Sequence, residues 1–128
     1  MDRSKIPYDL TVESRQAFLH ARVIGERTPE NILRFLKEAH DECVAAGLSK
    51  VLLEMCLTGP SLAAGDIFRV ISARSAEGAK LSRIAYVEAN MADAMRAKFA
   101  ETVAVNRAVN VRLFPDVAAA VQWLAAEE

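Results

Sequence analysis

Residues 28–57 read TPENILRFLKEAHDECVAAGLSKVLLEMCL, and this stretch decides the fold. Thr28 is a side-chain acceptor directly ahead of Pro29, which suits a helix cap and a first helical position, and Glu30 puts an acid in the positive first turn. Ile32, Leu33, Leu36, Ala39, Cys43 and Val44 then recur at helical spacing and make one apolar stripe on an amphipathic helix. Gly47 ends that helix, as the residue that best tolerates a left-handed turn. Lys50 to Leu57 is almost unbroken in apolar residues, the pattern of a central strand covered on both faces. A helix closed by glycine and followed by such a strand predicts a sheet with parallel βαβ crossovers.

Upstream, residues Tyr8 to Glu13 alternate, with Leu10 and Val12 set against Asp9, Thr11 and Glu13, as in a half-buried strand. A second strand is predicted from Gln16 to Ile24, stopping at Gly25. Its face of Ala17, Leu19, Ala21 and Val23 is wholly apolar and should meet the core. The break at Ser14 and Arg15 is short, so the two strands should form an antiparallel hairpin. Downstream, Thr58-Gly59-Pro60-Ser61 breaks the central strand. A second helix should start between Ser61 and Asp66, bury Ile67, Phe68, Val70 and Ile71, and end before Gly78. Leu81 to Val87 reads as the fourth strand. Met91, Met95, Phe99 and Val103 step by four and predict a third helix from Asn90 to Asn106. Asn110 to Phe114 is the fifth strand. Asp116 caps a last helix striped by Val117, Ala120, Val121 and Leu124. The predicted order is ββαβαβαβα: a single α/β domain over residues 8–128, with a mixed sheet, after a loose polar tail at residues 1–7.

Composition narrows the function. At 128 residues and 52% hydrophobic, the chain suits one packed core. A net charge of −1 and 6% aromatic residues give no field for nucleic acid and few rings for stacking on bases. The first residues lack the apolar segment of a secretion signal, and charges interrupt every longer apolar run. The expectation is a cytoplasmic protein without stable membrane insertion. Cys43 and Cys56 match no zinc or redox spacing and read as buried small hydrophobes. His20 and His40 have no acid or cysteine at ligand spacing, so no metal is predicted. They read as edge residues with satisfied hydrogen bonds. Glu54 interrupts the most apolar strand, which implies a partly open sheet face or a pairing with Arg22.

No acid–base–nucleophile set and no cofactor fingerprint is present, so the reading is a binding protein and not an enzyme. The loop from Thr58 to Asp66 follows the carboxyl end of a central strand, where α/β proteins gather ligands. It lacks the lysine of a phosphate loop, and Ser61 is in no nucleophile elbow; its plainest role is a helix cap. Thr58, Ser61, Leu62, Asp66 and Ile67 are the candidate partner-binding residues. Met55, Met91, Met95 and Phe99 could line an apolar pocket, although the same spacing serves an ordinary core. Arg69, Arg74, Lys80 and Arg83, interleaved with Asp66 and Glu77, read as a solvated face. An edge hairpin allows a monomer or a weak homodimer.

The segment Asn106-Arg107-Ala108-Val109-Asn110-Val111-Arg112-Leu113-Phe114, followed by Asp116, Ala120 and Trp123-Leu124, resembles the ending of SpoIIAA-like, STAS-related proteins. Ala108 stands where that ending has glycine. The resemblance implies a STAS-like sheet with helices mainly on one face. It also implies a regulatory domain that binds a protein partner, as anti-sigma-factor antagonists do through a phosphorylated serine beside the second helix. Ser61 is the positional match, but the preceding Asp and the hydroxyl pair of that switch are missing. CRAL-TRIO lipid-transfer domains are related folds. The alternative function is carriage of a small apolar or lipid-like ligand in a core cavity lined by Met91, Met95, Phe99 and the central strand.

Overall fold

Backbone hydrogen bonding and side-chain caps set the chain's elements in the computed structural model, which describes residues 8–89 and 94–126. The strands β1 (Tyr8–Ser14) and β2 (Leu19–Glu26) form the antiparallel hairpin, with Leu10 opposite Val23 and Val12 opposite Ala21. The strand β2 starts later than its pattern suggested, because Arg15 N–H donates to Phe18 O (2.8 Å) and the turn takes in Gln16 and Ala17. It also runs through Gly25, which still pairs on both sides, with Tyr8 and with Leu57.

The helix α1 (Pro29–Ala45) begins as read: Thr28 Oγ1 accepts from Asn31 N–H at 3.1 Å. The buried Asn31 amide ties the helix back to β2 by donating to Glu26 O (2.9 Å). Gly47 turns at φ +72°, and Leu48 N–H reaches back to Cys43 O. There follow β3 (Lys50–Thr58), α2 (Ala64–Gly78), β4 (Arg83–Glu88), α3 (Ala94–Val105), β5 (Val111–Phe114) and α4 (Val117–Ala125). The cap of α2 is Ala63 and carries no side-chain hydrogen bond, so Ser61 does not have the capping role expected of it.

The described residues form one small mixed α/β domain. Five strands lie in the order β1-β2-β3-β4-β5, with β2 to β5 parallel. Right-handed crossovers that always step the same way put their helices on one side of the sheet. The helices α1, α2 and α3 share that side. Because α4 is not a crossover, it can turn to the opposite side, and it packs on β3, β4 and β5. Strand order never reverses, so the crevice that such a reversal opens in other α/β sheets does not form here.

Two cores result. Leu19, Ala21, Val23, Val51 and Leu53 meet Phe35, Ala39 and Cys43 on the three-helix side. Leu52, Ala85 and Val87 meet Ala120 and Leu124 under α4. Cations hold the end of α4, where the carbonyls of a helix lack partners and the dipole is negative. Lys50 Nζ donates to Leu124 O (2.9 Å), and Arg83 Nη1 donates to Trp123 O (2.5 Å) and Ala126 O (2.8 Å). Arg83 and Arg112 also lie against the Trp123 ring, at 5.4 and 5.2 Å. Ala108 adopts φ +65° after α3. That is the left-handed turn that glycine fills after α1, so the alanine there carries strain.

Candidate functional site

A cavity of about 140 Å³ lies between the sheet and its three-helix side. The inward residues of β3 (Val51, Leu53, Met55 and Leu57) form its floor, and Ile32, Leu36, Ile67 and Val70 come down from α1 and α2. The space follows from side-chain size. Ala39, Gly78, Ala100 and Ala104 also face it. Residues this short cannot span the gap that backbone packing leaves between a helix layer and a sheet, about 10 Å axis to axis.

The carboxyl end of the sheet closes one end of the cavity with charge. Arg27 follows β2 directly, and Glu88 is the last residue of β4; both are buried. Arg27 Nη2 is 3.3 Å from Glu88 Oε1, and Nη1 donates to Gly59 O (2.8 Å). Tyr86 O–H lies 3.4 Å from Glu88 Oε2. Gly59 itself turns at φ +93°, a conformation that disfavours side chains. A buried charge needs a partner, and here each ion has the other as well as polar neighbours. Arg96, in the first turn of α3, is exposed and contributes to the same wall. It makes no hydrogen bond or ion pair with a described residue.

Glu101 also reaches the wall from α3. Burial pushes its carboxyl up, but the Lys98 ammonium (2.5 Å), the Leu113 N–H (2.5 Å) and the Arg112 charge outweigh this and hold it below the usual carboxylate range. At the other end of the cavity stands His40. Both of its ring nitrogens are shielded from solvent with no hydrogen-bond partner among the described residues. Its Nδ1 is 3.5 Å from Asp41 Oδ1, within ion-pair range but without hydrogen-bond geometry. The expectation of a satisfied histidine therefore fails at His40. It holds at His20, whose Nε2 lies 2.8 Å from Glu54 Oε1 on the opposite sheet face. Glu54 is half-buried there and also lies 3.6 Å from Arg22.

The residues singled out from sequence divide. Met55 is on the cavity floor. Met95 is 88% exposed and Phe99 36% exposed, and neither reaches the cavity. Met91 lies outside the described residues. A step of four overshoots a helical turn by about 40°, so four such positions sweep roughly 120° and do not share one face. The inward side of α3 is Ala97, Glu101, Val103 and Ala104, so of the stepped positions described here Val103 is buried and Met95 and Phe99 are not. In the loop, Thr58 and Ser61 are exposed, and Asp66 faces Arg69 at 3.5 Å. Leu62 and Ile67 turn the other way, onto the cavity wall. The proposed surface is thus two sites, with its apolar members facing inward.

Arg27, Tyr86, Glu88 and Arg96 were missed. The available signal was position: Arg27 and Glu88 are charges set right at the carboxyl ends of apolar strands. Of the two cysteines, Cys43 is buried and donates to Leu48 O (3.2 Å), and burial pushes its thiol up; Cys56 is only half-buried. Among the described residues no three His, Cys, Asp or Glu side chains gather as a metal would need, and no helix is long and apolar enough to cross a membrane. No protein-family model matches the chain, and no curated protein matches it.

Proposed function

We propose that this protein is a non-enzymatic binding protein whose ligand is a small, largely apolar molecule held between the sheet and the three-helix layer. The observation that carries the reading is the cavity itself: about 140 Å³, with apolar walls and an ion pair at one end. A cavity of about 150 Å³ lined by aliphatic side chains is sufficient to take up benzene. Apolar walls with a few placed polar groups are the usual make-up of a ligand site.

A protein partner at the loop and α2 is the second reading. It draws on the half-exposed Phe68, with the Arg107 guanidinium 4.7 Å above its ring, and on the resemblance to SpoIIAA-like regulators. The cavity accounts for more of the residues, because Leu62 and Ile67 belong to its wall. Native mass spectrometry of freshly purified protein tests the leading reading. The expected result is an extra small-molecule mass that denaturation removes, or a rise in melting temperature with a panel of apolar compounds. A bare polypeptide mass together with no thermal shift for any compound overturns it.

A further inference from the structure

We infer that the ligand is an amphiphile with an anionic, carboxylate-type head, bound with its tail in the cavity and its head against Arg96. This rests on the binding reading above and specifies the ligand's chemistry. The cavity's walls are largely apolar, so the part of a ligand inside it must be largely apolar too. Besides His40, Ser75 and the paired Arg74 and Glu77 (3.5 Å), the polar groups of the lining stand toward the carboxyl end of the sheet. There, Arg27 and Glu88 cancel each other in charge at 3.3 Å. Glu101 is matched by Lys98 at 2.5 Å. Arg96 is left as the wall's uncompensated charge, since it makes no ion pair or hydrogen bond with a described residue.

The surroundings sharpen the choice of head. Arg96 stands in the first turn of α3, where the helix dipole is positive and favours an anion. A planar carboxylate matches the guanidinium fork with two parallel hydrogen bonds. Deeper in, Arg27 is already paired with Glu88 at 3.3 Å, so the head stays at the exposed rim. A cationic head would meet Arg96 before it could reach Glu88. A neutral head would leave the arginine's charge unused.

The test compares octanoate with 1-octanol, which share a tail and differ in the head, by calorimetric titration at neutral pH. The wild-type protein should bind octanoate about tenfold more tightly, the value of one charge-assisted contact at a partly exposed rim. Arg96→Gln should close that gap while leaving 1-octanol unchanged, and Arg96→Lys should keep part of it. Because Arg96 is exposed, neither change disturbs the core. Equal affinities in the wild type, or a gap that survives Arg96→Gln, overturn the head assignment and leave the cavity reading standing. If neither compound binds, both fall.

Discussion

The two sides of the central strand differ more than their sequences do. Leu52 and Leu53 are adjacent and chemically identical, yet Leu52 lies at 0% exposure under α4 and Leu53 faces the cavity at 9%. On the α4 side, Phe114 and Trp123 close the packing, with ring centroids 5.4 Å apart. On the three-helix side, alanines and a glycine leave space. One strand thus carries a filled face and a face with a cavity. Dense packing maximises dispersion contacts, and a void forfeits them. The difference teaches that this fold leaves a cavity within the larger buried cluster on one side of a single sheet and fills the smaller one under α4 on the other.

The sharpest way to break this comparison is to shorten the two leucines separately. Leu52→Ala should cost about 3–4 kcal/mol, within the usual range for a fully packed leucine. Leu53→Ala should cost about 1–2 kcal/mol less, because its side chain already lacks neighbours on the cavity side. Urea unfolding measures both, and equal losses would show that the two faces are packed alike.

Enlarging a small residue gives the converse test at a smaller effect. Leucine keeps the helix propensity of alanine nearly intact, so packing decides the outcome. Ala120→Leu, at 0% exposure under α4, should lower stability by about 1–3 kcal/mol. Ala104→Leu grows into the cavity and should cost less than that, while abolishing octanoate uptake. Thermal unfolding with and without octanoate reads both effects. A large loss at Ala104 would mean that the space cannot accept added atoms.

The smallest effect separates backbone strain from packing. Ala108→Gly relieves the φ +65° turn after α3 and should raise stability by about 1 kcal/mol, seen as an upward shift in melting temperature. Octanoate affinity should not change. No gain in stability would show that the turn after α3 relaxes without cost.

Much of the architecture was legible because local rules sufficed. Thr28, Pro29, Gly47 and Asp116 mark helix ends by their own chemistry, and the alternation in β2 places Leu19, Ala21 and Val23 inward whatever lies beyond. The site was less legible. Arg27, Glu88 and Arg96 are far apart in the chain, and each alone is an ordinary surface-type residue. Only the parallel register brings the ends of β2 and β4 and the start of α3 to one place. Met95 and Phe99 misled for a related reason: a helix with apolar residues on most sides does not announce which side faces in.

By itself, the sequence determined the order of elements, the hairpin and the single sheet, since periodicity and caps act between neighbours in the chain. The tertiary structure alone decided that alanines from α1 and α3 would line one space and leave a cavity. It also decided that two arginines and a glutamate would gather at one end of it. Space and charge balance are sums over distant side chains, and no local pattern records such a sum.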